Sequence, residues 1–234
     1  MSTKAAKASV NFKKNRLTIT FAETISKRSL DSLYTEIRFC VADLKPGFDV
    51  ITDLSMCTLA ALSGLGTFRK ITNHLIANKV GRVVRVIDET KIIKKQLLNV
   101  AARSQCYRAD IFNSIEAAEE YLALSADSSG LYFQLHEQSI DYVFNEMRGT
   151  GVVEFLSITE CIVQVVSLPL KQGAKIELSI KFDKQEGLLE QMEVAAEVVR
   201  VEGNSFTAQY RDVDEVLKGQ IWDRLVHQSQ CELT

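Results

Sequence analysis

Few side chains in this 234-residue sequence stand in patterns that do chemistry. His74, His136 and His227 share no short spacing, and His227 with Cys231 would supply only two of the four ligands that close a metal site. No metal or other cofactor is expected. The five cysteines, Cys40, Cys57, Cys106, Cys161 and Cys231, are odd in number and form no C-x-x-C pair, so they read as reduced, mostly buried thiols. No Ser/His/Asp or Cys/His set carries a recognisable local signature, and no catalytic residue is assigned. Gly64-Leu65-Gly66 lacks the third glycine of a dinucleotide loop and the Lys-Ser/Thr of a P-loop. Ser63 lies just ahead of the helix expected from Gly64, and Ser55 lies further upstream. The simpler roles are turn residue for Ser55 and N-cap for Ser63. Arg82, Arg85, Lys91, Lys94, Lys95, Arg103 and Arg108 could form an anion-binding or nucleic-acid face. No aromatic residues interleave with them for stacking, and Lys94 and Lys95 suit the wet side of an amphipathic helix, so nucleic acid is not an expected partner.

The elements that must position these residues change style halfway along the chain. Residues 8–22 read as two short strands around Lys14-Asn15, because Val10, Phe12, Leu17, Ile19 and Phe21 alternate with polar residues. Leu30, Leu33, Tyr34, Ile37 and Val41 recur at helical spacing until Lys45-Pro46-Gly47. Buried strands are expected at 48–54 and 80–87, helices at 64–78 and from Thr90 to about Arg103, a short strand at 109–112, and a last helix capped by Ser114. Alternating strands and helices imply a largely parallel sheet covered by helices. After the polar stretch 123–130 and an untyped segment, 131–147, strand-like runs follow one another at 152–157, 161–167, 175–182, 192–202 and 205–210. Such a meander argues for an antiparallel barrel or sandwich, closed by an amphipathic helix bearing Val213, Val216, Leu217, Ile221 and Leu225.

Composition agrees with two units. The chain is 46% hydrophobic and 25% charged, the balance of a folded soluble protein. Residues 1–125 carry a net charge of +7 and residues 126–234 one of -9, which together give the overall -2. No run approaches a membrane span and no signal-peptide core follows Met1, so the protein is expected in the cytoplasm. The expected fold class is α+β with domains at 1–125 and 151–234 and a linker with an uncertain segment at 126–150.

The run Asp53-Leu54-Ser55 to Leu62-Ser63-Gly64-Leu65-Gly66 resembles the D-L-S…D-S-S-G-L-G turn of STAS domains, the family of bacterial anti-sigma-factor antagonists. Element order over residues 8–124 is similar too. In that family the first Ser of D-S-S-G is phosphorylated; in register it falls on Leu62, and the motif Asp falls on Ala61. The turn without its phosphoacceptor implies a docking face at Ala61, Leu62, Ser63 and Gly64 for an unidentified regulatory protein.

Residues 145–228 resemble a PilZ domain, a six-stranded barrel that in many members binds cyclic di-GMP. The resemblance runs through residues 153–163, 168–173 and 198–201, and then Phe206 to Val213 before a helix. The D-x-S-x-x-G positions are Phe155, Ser157 and Glu160, so only the Ser survives, and no R-x-x-x-R precedes it. Guanidinium forks bind phosphate in a way that other side chains do not reproduce. The resemblance therefore implies the barrel without its usual ligand, in a non-enzymatic signalling protein that works through protein contacts. The alternative is a cyclic di-GMP receptor using a non-standard site of Arg148, Ser157 and Arg200.

Overall fold

The computed structural model describes residues 6–57, 59–60, 65–88, 106–124 and 130–231, and the chain divides into two compact units. The first comprises residues 1–105 and 109–131. Its strands are β1 (Lys7–Asn11), β2 (Arg16–Thr20), β3 (Thr24–Ile25), β4 (Asp49–Asp53), β5 (Leu59–Ala60), β6 (Val83–Val86) and β7 (Asp110–Phe112), with helices α1 (Lys27–Ala42), α2 (Leu65–Ala77) and α3 (Ile115–Leu124). The five-stranded sheet has the order β1-β2-β4-β6-β7, with β1 antiparallel to β2 and the rest parallel; β3 and β5 form a separate parallel pair. The expected helix from Thr90 to Arg103 lies outside the described residues.

Local chemistry sets these elements. Asn15 turns the chain between β1 and β2 at φ 47°, and its amide bonds the Lys45 backbone in both directions at 3.0 Å. Helix α1 begins ahead of Ser29, because Ser26 and Ser29 cap each other reciprocally. Leu30, Leu33, Ile37 and Val41 form its buried stripe, as their spacing predicts. Every residue of β6 is buried, the signature of a central parallel strand. Ser114 accepts a bond from Ala117 N at 3.1 Å at the start of α3, whose Ala118 and Leu122 close a core with Ile51, Val84 and Val86.

An ion network ties the strand starts to α3. Asp49, 8% exposed, accepts from Arg82 Nε at 3.0 Å and from an Arg82 terminal nitrogen at 2.8 Å, and faces buried Arg16. Glu119 of α3 takes Arg16 and Lys14 together, and Arg82 reaches the Leu122 carbonyl at 2.9 Å. Removing one partner from such a cluster strands a buried charge, which costs far more than the net worth of the pair.

The second unit comprises Cys106–Arg108 and residues 132–234. Strands β8 (Phe133–Phe144), β9 (Met147–Leu156), β10 (Glu160–Gln164), β11 (Lys175–Lys181), β12 (Gln191–Glu202) and β13 (Ser205–Tyr210) close into an antiparallel barrel in the order β10-β13-β12-β11-β8-β9. Helix α4 (Glu215–Cys231) follows. The barrel thus begins within the 126–150 segment that the sequence reads as linker and untyped. Two physical reasons hid β8. The polar run His136-Glu137-Gln138-Ser139 covers a register shift between Gln134 and Gln138, and the tight turn to β9 uses Asn145 and Glu146 at φ 48° and 66°, without the glycine that usually marks it.

Inward positions of the strands alternate as the barrel requires: Ile176, Leu178 and Ile180 on β11, Met192, Val194, Ala196 and Val198 on β12, and Phe206, Ala208 and Tyr210 on β13 are all buried. Tyr142 lies across Gly149, its cross-strand partner, where an added Cβ would meet the ring at 2.4 Å. Its hydroxyl donates to Leu168 O at 2.7 Å and accepts from Leu168 N at 3.0 Å, which fixes the Leu168-Pro169 bend. On α4, Ile221 and Leu225 are fully buried, but Val216, expected on the apolar face, is 70% exposed. The buried stripe starts a turn later and includes Arg224, whose stem the periodicity did not count as apolar. No described helix is long and apolar enough to cross a membrane.

Candidate functional site

Ala61, Leu62, Ser63 and Gly64, expected from the sequence to form a docking face, lie outside the described residues. Ahead of them, Asp53 Oδ1 accepts from Ser55 N at 3.0 Å and from Ser55 Oγ at 2.6 Å, so Ser55 closes a turn at the end of β4. Of the seven basic residues that could have formed one face, Arg82 belongs to the buried network, Arg85 is 8% exposed inside the sheet, and Arg108 belongs to the barrel unit. Lys91, Lys94, Lys95 and Arg103 lie outside the described residues.

On the barrel, Ser157 is fully buried at the β9–β10 turn. Its hydroxyl accepts from Thr159 N at 3.2 Å and Glu160 N at 3.0 Å and donates to Glu160 O at 3.0 Å, and its own N–H donates to Glu160 O at 2.9 Å. The one surviving residue of the motif is thereby spent on closing the turn. Beneath it, burial pushes the Cys161 thiol up to about 12, against a smaller opposing effect of the Tyr210 hydroxyl that it faces inside the barrel. Burial likewise raises Tyr210 well above the usual phenol range. An un-ionised thiol and phenol in a sealed interior are inert.

Strand register aligns the remaining positions on the outer surface. Arg200 pairs with Thr207, Thr207 with Ile162, Ile162 with Phe155 and Phe155 with Gln134, which is one lateral row across five strands. Phe155 is half-buried, and the Arg108 guanidinium stands 5.6 Å from its ring centroid. Arg200 is exposed and pairs with Glu202. Arg108 is the residue that sequence reasoning missed here, since it was grouped with the basic cluster of the first half; the signal that could have placed it was the polar–aromatic–polar alternation Cys106-Tyr107-Arg108.

Arg148 does not join this row. It lies beside the β8–β9 hairpin, seven residues along β9 from Phe155 and so on the order of 23 Å away at strand spacing. There it lines a groove of about 780 Å³ with Lys181 and the carboxylates Asp141, Glu177 and Glu193. Arg148, Ser157 and Arg200 therefore do not converge, and the groove around Arg148 carries more negative than positive side chains. Among the described residues no group of three or more His, Cys, Asp or Glu is placed to hold a metal.

No protein-family model and no curated protein matches the chain. Among solved structures it is similar to the PilZ domain of CeSA from a cellulose-synthesizing bacterium, at 16% identity and TM-score 0.31, covering 38% of this chain and 89% of that one. It is also similar to the Bacillus subtilis inhibitor of motility MotI/DgrA, at 15% identity and TM-score 0.34, covering 40% of this chain and 47% of that one. The PilZ domain of Escherichia coli YcgR, solved with c-di-GMP, matches at 13% identity and TM-score 0.34, covering 43% and 91%.

Proposed function

We propose that this chain is a non-enzymatic bacterial signalling protein, a STAS-like α/β unit joined to a PilZ-like barrel, that acts through protein contacts and not through cyclic di-GMP. The observation that carries the reading is the state of the motif positions. Phe155, in place of an acceptor carboxylate, has Arg108 over its ring; Ser157 is used up in its own turn; Arg148 sits at the far end of β9. A dianionic ligand needs bidentate arginines and close backbone approach, and Glu160 adds charge of the wrong sign beside the turn. Calorimetry at physiological salt should detect no saturable binding of cyclic di-GMP. Saturable binding at micromolar affinity or tighter overturns this reading of the barrel.

A second reading, a cyclic di-GMP receptor with a non-standard site, is favoured by one observation: Arg108 and Arg200 share the outer face on either side of Phe155 and Ile162. On that reading Arg108→Ala and Arg200→Ala would each abolish the calorimetric signal, and Arg148→Ala would not.

For the α/β unit, support for the STAS-like reading comes from the strand and helix alternation over residues 7–124 and the turn after β4. The docking face on this reading is Ala61, Leu62, Ser63 and Gly64 with the start of α2. Leu62→Asp should weaken capture of a cognate partner and leave the melting temperature nearly unchanged; a large loss of melting temperature would place Leu62 in the core instead.

A further inference from the structure

We propose that the outer edge of β1 is the interface of a two-fold homodimer, in which the β1 strands of two copies of this chain pair antiparallel about Val10 and join their sheets into one. The barrel closes on itself, but the five-stranded sheet ends on β1, whose outer side no strand takes among the described residues. Backbone directions identify the groups presented there. Asp49 N donates to Asn15 O and Phe21 N to Asp53 O, so Leu17 and Ile19 of β2 turn their backbone groups toward β4, and Arg16, Thr18 and Thr20 turn theirs toward β1. Their partners Asn11, Ser9 and Lys7 are therefore the bonded ones, and Ala8 and Val10 face outward. Ala8 N agrees with this alternation, because it donates to Glu36 Oε2 of α1 at 3.0 Å. Val10 presents its outward N–H and C=O, the template that a second strand completes.

A second copy fits this edge because the edge is complementary to itself. With Glu36 holding the Ala8 N–H, the register that uses the remaining groups puts Val10 across from Val10 on the symmetry axis and Ala8 across from Phe12 of the second copy. Phe12 is 66% exposed, and the small Ala8 side chain leaves room for its ring. Charge points the same way. Helix α1 runs alongside β1 from Glu36, at Ala8, to Asp43, near the β1–β2 turn that Asn15 ties to Lys45 at 3.0 Å. Reversal of the second strand brings its Lys13 toward Glu36 and its Lys7 toward Asp43, so each side of the axis carries two ammoniums and two carboxylates. The inference rests on the α/β unit alone and does not depend on any ligand of the barrel.

Sedimentation equilibrium of the intact chain reads the assembly directly. The unaltered protein should form a dimer that dissociates on dilution. Val10→Pro removes the outward N–H without touching the β1–β2 ladder, and should weaken association by about tenfold or more while the melting temperature stays nearly unchanged. Lys13→Glu and Glu36→Lys should each weaken it as well, and the two combined should restore it, a pattern that altered folding does not produce. The proposal fails if the unaltered chain sediments as a monomer at about 100 μM, where even a weak specific dimer is populated. It fails equally if a dimer forms that Val10→Pro and both charge reversals leave intact, or if the combined charge variant associates no better than the single ones, since either result would place the contact on another face.

Discussion

Both units hold a helix against a sheet with a buried arginine, and they do so by opposite chemistry. In the α/β unit, Arg16 meets the Glu119 carboxylate of α3 within a network that also includes Lys14, Asp49 and Arg82. On the barrel, Arg224 of α4 pairs with no carboxylate among the described residues: it donates to the Asp183 carbonyl at 3.0 Å and stands 5.0 Å over the Phe182 ring, and Trp222 meets Phe133 edge-on at 5.5 Å. One helix is docked by compensated charge and the other by dipoles and rings. The difference teaches that the two units should fail under different conditions. The loss of a carboxylate threatens the first, whereas the second is exposed through the neutral groups sealed inside its barrel.

The largest expected effect is in the α/β unit. Asp49→Ala leaves Arg82 and Arg16 without their shared acceptor and should cost about 3–5 kcal/mol there. Trp222 is the single tryptophan and reports the barrel alone, so its fluorescence transition should stay in place while amide exchange on β4 and β6 accelerates. Equal movement of both readouts would erase the contrast.

The barrel should answer at the alkaline end. An unfolded thiol ionises from about 9, but burial holds Cys161 un-ionised up to about 12. The folded state thus keeps a proton that the unfolded chain gives up. Stability present below pH 9 is lost as pH rises toward 12, by about 1.4 kcal/mol per pH unit from this group. Tyr210 is raised too and adds in the same direction. Unfolding followed by Trp222 fluorescence should show a shallower alkaline slope in Cys161→Ala than in the unaltered chain, whatever the absolute cost of the substitution.

The smallest effect is acidic and returns to the first unit. His74 on α2 stands edge-on to Tyr34 of α1 at 6.0 Å, with Nε2 buried and without a hydrogen-bond partner. Burial first, and the Arg38 charge second, hold it below the ordinary imidazole value of 6.5. As pH falls through 6.5 the unfolded chain binds the proton first, so stability present above that value declines below it. Amide exchange on α2 should accelerate at mildly acid pH, and His74→Gln should remove that dependence. An unchanged pH profile in the variant would show that His74 does not set the acid response.

Much of this architecture was legible because periodicity follows burial. The stripe Leu30, Leu33, Ile37 and Val41 and the alternation through β11 to β13 could be read directly. What escaped reading was set by contacts between residues distant in sequence. Strand β8 was hidden by a polar register shift and by a left-handed turn built on Asn145-Glu146. Register also decides the candidate site: Phe155 and Arg200 sit in one row because the two intervening strands, β10 and β13, are in phase, while Arg148, seven residues away at the far end of the same strand as Phe155, is carried out of reach. Nothing in the linear motif distinguishes those two outcomes. That Ser157 would turn its hydroxyl inward to close its own loop was likewise a matter of conformation, not of residue type.

The placement of Cys106–Arg108 in the barrel unit has a consequence for how the chain is made. During synthesis Tyr107 leaves the ribosome roughly 26 residues before Phe133, a delay of about 1–5 s at ordinary elongation rates. For that interval the segment has been produced but the strand edge it will pair with has not. The barrel therefore cannot mature as a purely C-terminal module: its first strand must arrive, in time, at a piece of chain that has been waiting for it.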